Sequence, residues 1–291
     1  LPPIPSQYLD SVVYLYPSEA AAEAGDGAGG SGFLAGVPIG WETGPMDTHF
    51  AVYALYVVTN AHVIEQGATH ARLMDRDGAP RIVAVPTDSW HLHPDGNDVA
   101  VFPLDATNQE FACIPWNDFV PETNAVLPGD DIFLLGRYIN AEGKQYNAPI
   151  ARFGHVAMLA NEKITTPRGK QLSYLVEALS LSGYSGSPVM AFRLHIETHF
   201  GGGIGVGMGE PVKGNSINVG NPGKPSLLGI DWGHFHDHQL VLDSAGEPLA
   251  GRQFVKQNSG IAGVVPAWKL TELLQSEELT RLRDEKKEEA S

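Results

Sequence analysis

The feature that most constrains this chain is its rhythm. Short runs of β-branched and aromatic residues alternate with breaks rich in Gly, Pro and Asn. "SVVYLYP" (residues 11–17), "SGFLAGV", "YALYVVTNAHVI", "ARLMDRD", "RIVAVPTDSW", "VAVFPL" and "FACIPW" follow one another up to Trp116. Such runs, bounded by turn residues, read as strands joined by tight connections. The stretch "NDFVPETNAVLPGD" (Asn117–Asp130) has the composition of a linker, and a second series follows: "DIFLLGRY", "ARFGHVAMLA", "QLSYLVEAL", "SPVMAFRL", "SLLGIDW" and "IAGVVP". The 33 glycines and 21 prolines are spread between these runs, as expected for many short strands. After Pro266 the period changes. Leu270, Leu273, Leu274 and Leu279 fall on one face of a helix, and the last ten residues read as a charged, fraying tail. The pattern predicts an all-β fold: two antiparallel six-stranded β-barrels over residues 1–118 and 119–266, then a C-terminal α-helix and tail over 267–291. A cleft between two such barrels is a natural site.

Two further stretches read as loops. "SEAAAEAGDGAGG" carries glycines that argue against a helix. The insertion from Phe200 to Pro225, "FGGGIGVGMGEPVKGNSINVGNPGKP", is of a length that is usually functional or disordered.

Charge and cysteine content narrow the function. A formal net charge of −15 argues against a nucleic-acid surface, which needs clustered Lys and Arg. Cys113 is the single cysteine, so no internal disulfide can form, and one thiol does not assign a compartment. No apolar run approaches the ~20 residues of a membrane helix, and no signal peptide is read, so a soluble chain with no membrane insertion is expected. The first residue is Leu1 rather than Met, which implies processing or trimming upstream.

Three residues at strand ends could together perform nucleophilic chemistry. A seryl hydroxyl is a poor nucleophile at neutral pH and needs a general base, an orienting carboxylate and donors for the oxyanion. His62 follows an apolar strand in "VVTNAHVI", and Asp98 precedes an alternating strand in "GNDVAVFPL". Ser185 lies in "LSGYSGSPVM" between Gly183 and Gly186, which permit a bend with positive φ that aims backbone N–H groups at one spot. Taken singly, each has an ordinary reading: a core or surface histidine, a turn aspartate, a hairpin loop.

Together, "TNAHV", "NDVAVFPL" and "GYSGSPV" resemble the His, Asp and Ser motifs of the chymotrypsin-like (trypsin-like) serine peptidases, in that family's chain order. "GSGFLAG", "PGDDIFLLG", "LLGIDWG" and "GIAGVVP" are similar to further strands of the family, so the resemblance runs from about Ser11 to Leu274. "GYSGSPV" and "GIDWG" look most like the glutamyl-endopeptidase-like and HtrA-like bacterial members, although no PDZ domain is read in this chain. The resemblance implies a serine endopeptidase needing no cofactor. Ser185 would be the nucleophile, His62 the base and Asp98 its partner, with an oxyanion hole from the N–H groups of Gly183 and Ser185. The substrate would be a protein or peptide bound as an extended strand beside Asp231, Trp232 and Gly233, with Leu179 and Ser180 in the specificity region. Tyr184 stands where trypsin-type zymogens carry an Asp that pairs with a freed N-terminus, so that activation route does not carry over.

Leu179 replaces the pocket-floor Asp of trypsin-type members, and Asp231 stands in "GIDWG" where glutamyl endopeptidases have "GIHWG". One register puts Asp231 on the pocket wall, where it would repel acidic side chains before the scissile bond and could attract Lys or Arg. The other puts it beside Asp98, over a mostly apolar pocket with Leu179 near its base. Both disfavour an acidic residue there. Two rivals stay open. The His-rich stretches with His91, His93, His234, His236, Asp237 and His238 could hold a metal, though they match no known ligand spacing. The fold could also serve as a catalytically inactive binding module.

Overall fold

The computed structural model of the chain describes residues 3–43, 47–106, 110–122, 126–140, 143–192, 196–198, 217–219, 224–244, 246–248 and 253–289. Most of the Phe200–Pro225 insertion lies outside the described residues.

The first half holds β1 (Val12–Tyr16), β2 (Gly30–Thr43), β3 (His49–Thr59), β4 (His70–Met74), β5 (Pro80–Ala84), β6 (His91–Leu92), β7 (Ala100–Leu104) and β8 (Ile114–Pro115). They form one sheet in the order β5-β4-β1-β2-β3-β7-β6, with β8 parallel to β2. The sequence shows seven apolar runs here and predicts a six-stranded barrel; the sheet has eight strands, because the two-residue β6 is too short to read as an apolar run, whereas β8 lies within "FACIPW". Among the described residues no hydrogen-bonded pairing joins β5 to β6, so the curved sheet is left open there. The second half is a closed six-stranded barrel, as predicted. It comprises β9 (Asp131–Gly136), β10 (Ile150–Met158), β13 (Tyr174–Glu177), β14 (Pro188–Ala191), β17 (Ser226–Leu240) and β18 (Phe254–Pro266), in the order β10-β13-β18-β17-β14-β9. The hairpin of β11 (Lys163–Thr166) and β12 (Gly169–Leu172) is paired outside the barrel, as is that of β15 (Ile196–Thr198) and β16 (Ile217–Val219).

Side-chain alternation explains the core. Along β1, Val12, Tyr14 and Tyr16 enter one apolar cluster, whereas Val13 and Leu15 enter another on the opposite face. The first of these clusters does not stop at the boundary between the halves. It includes Phe133, Met190 and Leu227 of the second half and Leu270, Leu274 and Leu279 of the C-terminal helices.

Two stretches differ from expectation. "SEAAAEAGDGAGG" contains a helix, α2 (Glu19–Ala24), which follows a short α1 (Ser6–Asp10). Ser18 Oγ caps it by accepting the Ala21 N–H, and Gly25, left-handed at φ 63°, closes its end. The glycines that argue against a helix stand after it, where they terminate it. At the other end the chain forms two helices, α4 (Ala267–Leu274) and α5 (Glu277–Glu289), the latter running through the predicted tail. Arg283 anchors it. This side chain is buried and donates to Tyr56 Oη (3.1 Å), the Leu274 carbonyl (2.8 Å) and Thr280 Oγ1 (3.0 Å).

Candidate active site

His62 lies in the first turn of α3 (Ala61–Glu65), directly after β3. Its backbone N–H donates to Asp98 Oδ1 (3.0 Å), and its ring Nδ1 lies 2.6 Å from Asp98 Oδ2. In a neutral ring this contact puts the proton on Nδ1 and leaves Nε2 as the acceptor. Asp98 is 3% exposed, just before β7. Its backbone is held from both sides: Asn60 Nδ2 donates to its carbonyl (2.8 Å), and its N–H donates to Gln171 Oε1 (2.8 Å).

Ser185 occupies the bend between β13 and β14. Gly183 (φ 94°) and Gly186 (φ 89°) adopt the left-handed conformations the sequence calls for. At Gly186 the need is doubled, because a Cβ would lie 2.0 Å from the Ser31 carbonyl oxygen and 2.2 Å from Thr59 Oγ1. The bend is pinned on both sides. Ser31 N–H donates to the Ser185 carbonyl (2.9 Å), Ser31 Oγ donates to the Gly183 carbonyl (2.8 Å), and Gly186 N–H donates to the Asp231 carbonyl (2.8 Å). Among the described residues, the N–H groups of Gly183 and Ser185 have no protein acceptor. Tyr184 points the other way and is fully buried, its hydroxyl accepting from Arg152 Nε (3.2 Å). Ser187 is also fully buried, with no partner for its hydroxyl.

A cleft of about 430 Å³ between the halves is lined by His62, Asp98, Gly183 and Ser185, and by Arg168, Trp232, Gly233 and His234. The trypsin-like peptidase domain model matches residues 30–193, more than half of the chain. The chain belongs to this family. No curated protein sequence matches it. Among solved structures it is similar to the apo MamO protease domain from Magnetospirillum magneticum, with a TM-score of 0.52 and 16% identity over 93% of this chain and 98% of that one. Deg5 aligns with a TM-score of 0.44 and 22% identity over 64% of this chain and 76% of its own. An inactive mutant form of Rv3671c from M. tuberculosis H37Rv gives a TM-score of 0.44 and 14% identity over 92% of this chain and 87% of that one. At 16% identity the likeness to the MamO domain is one of fold.

In this peptidase domain the other expected substrate-binding residues lie off the cleft wall. Leu179 is 46% exposed, so it does not form the base of an apolar pocket. It stands between the buried Ala178 and Ser180, and its side chain turns outward. Ser180 and Asp231 are fully buried and meet: Ser180 Oγ donates to Asp231 Oδ2 (2.7 Å), while Gly233 N–H approaches Oδ1 (3.3 Å). The open-wall register does not hold, because the carboxylate is out of reach of solvent. Burial pushes the Asp231 carboxyl up to about 7, against which the bonds from Ser180 and Gly233 pull only partly.

The histidine-rich stretches separate in space. His91 Nδ1 lies 3.4 Å from Glu278, and His93 Nε2 lies 3.3 Å from Glu272, both on the C-terminal helices. His234 and His236 lie with ring centroids 4.5 Å apart on β17, their planes tilted by 51°. Among the described residues no three His, Cys, Asp or Glu side chains come together as a metal-binding group.

Three residues of the site escape a reading of local pattern. Ser31 sits in the quoted "GSGFLAG", where its hydroxyl looks like one more turn residue. Gln171 and Arg168 belong to the β11–β12 hairpin, whose approach to Asp98 is a tertiary event with no trace in spacing.

Proposed function

We propose that this peptidase domain is a serine endopeptidase working through His62, Asp98 and Ser185. Ser185 Oγ attacks the scissile carbonyl while His62 Nε2 takes its proton, giving a tetrahedral intermediate. His62 then gives that proton to the leaving amine as the C–N bond breaks, which leaves the acyl-enzyme; water, deprotonated by the same ring, hydrolyses the ester and returns the proton to Ser185. Asp98 keeps the ring in the tautomer with Nδ1 protonated and stabilises the imidazolium. The free N–H groups of Gly183 and Ser185 receive the oxyanion. The observation that carries this reading is the 2.6 Å contact of His62 Nδ1 with Asp98, in a cleft shared with a serine on a doubly left-handed bend.

The substrate in this reading is an extended peptide laid along Trp232–Gly233, adding a strand at the cleft edge. Cleavage after Glu or Asp is disfavoured above about pH 7, where the Asp231 carboxyl behind Ser180 is ionised. A fluorophosphonate probe tests the reading: it should label the wild type and not Ser185→Ala. An unlabelled wild type would instead mark an inactive binding module. Cleavage profiling on a peptide library, with Ser185→Ala as blank, tests the specificity, and efficient cleavage after Glu would refute it.

A further inference from the structure

The β11–β12 hairpin reaches from the second half onto the His62–Asp98 pair. Its loop is the two residues Pro167 and Arg168, between the paired Thr166 and Gly169. The loop is braced internally. Thr166 Oγ1 donates to the Gly169 carbonyl (2.9 Å) and accepts the Arg168 N–H (3.2 Å). Proline fixes one backbone angle and Gly169, at φ 122°, closes the turn. The same hairpin carries Gln171, which holds the Asp98 N–H. Arg168 is therefore delivered to the site by a short, restrained element.

Its guanidinium stands between two carboxylates. Nη1 pairs with Glu65, three residues along α3 from His62. Nε lies 3.7 Å from Asp98 Oδ1, the oxygen not used by the His62 ring, and this Nε is buried without a hydrogen-bond partner. Beyond hydrogen-bond length, what remains there is charge. The charged and titratable groups around the His62 ring are thus Asp98 and Glu65 of the first half, Arg168 of the hairpin, and His234 on the facing strand. Asp98 favours a second proton on the ring and the positive charge it brings, Arg168 opposes it, and Glu65 moderates Arg168.

We infer that Arg168 is a positioning residue for the His62–Asp98 pair, setting the pH at which the imidazole becomes available as a base. It tempers Asp98, which alone would hold a proton on the ring to higher pH. Glu65 is the adjustment on Arg168. The inference rests on the proposed role of His62, but the ring titrates whether or not Ser185 reacts.

NMR titration of the His62 ring in the full chain therefore tests it directly. In Arg168→Met the midpoint moves up by about half a pH unit or more, and in Glu65→Gln it moves down by a smaller amount. Arg168→Lys, which keeps a cation, retains most of the wild-type midpoint. Lys170→Met removes an exposed cation from the same hairpin and leaves the midpoint in place. Where the wild type turns over substrate, the acid limb of kcat/KM shifts in the same directions. Midpoints that stay put in both Arg168→Met and Glu65→Gln, or that move the same way in both, overturn the inference. So does a shift in Lys170→Met equal to that in Arg168→Met. Absence of probe labelling refutes the proposed chemistry alone and leaves this result standing.

Discussion

Ser185 and Ser187 are two residues apart and face opposite fates. Replacing Ser185 or His62 by Ala is expected to lower kcat/KM by about a thousandfold or more, since the members of such a group act as a unit. Circular dichroism and melting temperature should stay near wild type, because neither side chain supports the core. Ser187→Ala removes a buried hydroxyl that has no partner. Activity should persist and the melting temperature should hold or rise, since an unsatisfied buried polar group is destabilising. If Ser187→Ala abolishes turnover and Ser185→Ala does not, the assignment of the nucleophile fails. Gly186→Ala faces both a left-handed backbone and a contact of 2.0 Å with the Ser31 carbonyl. It is expected to melt markedly earlier and to lose probe labelling even where it folds. At this scale the sequence was informative about what the bend requires: two glycines around a serine are a local signal. It was silent on Ser31 and Arg168, whose roles come from what they approach.

Among elements, those with a period longer than their neighbours' turns were legible, and the shortest were not. Strands β1, β3, β7, β9 and β14 are apolar runs several residues long, and the fold follows from their succession. Two-residue strands such as β6 have no period to read. Helix α2 is hidden by the glycines that follow and stop it; Ser18, four alanines and Gly25, taken in order, spell a capped helix. Helix α5 carries the expected Leu279 but continues through the stretch read as a fraying tail, for a different reason. Its sequence is highly charged, and it persists because Arg283 docks onto Tyr56 and Leu274. Arg283→Met should therefore destabilise the whole protein by about 2–4 kcal/mol, through unsatisfied partners left in a buried place. Urea unfolding measures this. A variant as stable as wild type would show that α5 is ornamental to the fold.

For the molecule as a whole, Asp231 links stability to pH. Its carboxyl moves from 3.8 to about 7 on folding, because it is fully buried with no cation bonded to it. Between those values the folded chain holds a proton that the unfolded chain has released. Stability therefore falls as pH rises from about 4 through 7, and the loss is complete above that. Asn keeps much of the shape without the charge. Asp231→Asn should exceed wild type in stability at pH 8, on the order of a few kcal/mol, with the gap closing toward pH 4. Unfolding midpoints across that range decide it, and a gap independent of pH would mean the carboxylate is not desolvated as described.

The core cluster that crosses both halves has a bearing on the order of events during synthesis. Tyr8, Val12 and Tyr14 leave the ribosome before any of the strands that follow them, yet they pack in one cluster with Leu270, Leu274 and Leu279, which emerge after every described strand has been made. Tyr56 receives its partner Arg283 from 227 residues away. Contacts of such sequence separation are slow to form. The first sheet must therefore wait for the last helices to complete its interior, and the two walls of the cleft are held firmly together only then. A nascent chain carries His62 and Asp98 for much of its synthesis without a finished partner surface. A translation-arrested chain stopped before residue 267 is accordingly expected to be digested readily by an added protease, and one extended past α5 and clear of the exit tunnel to resist it.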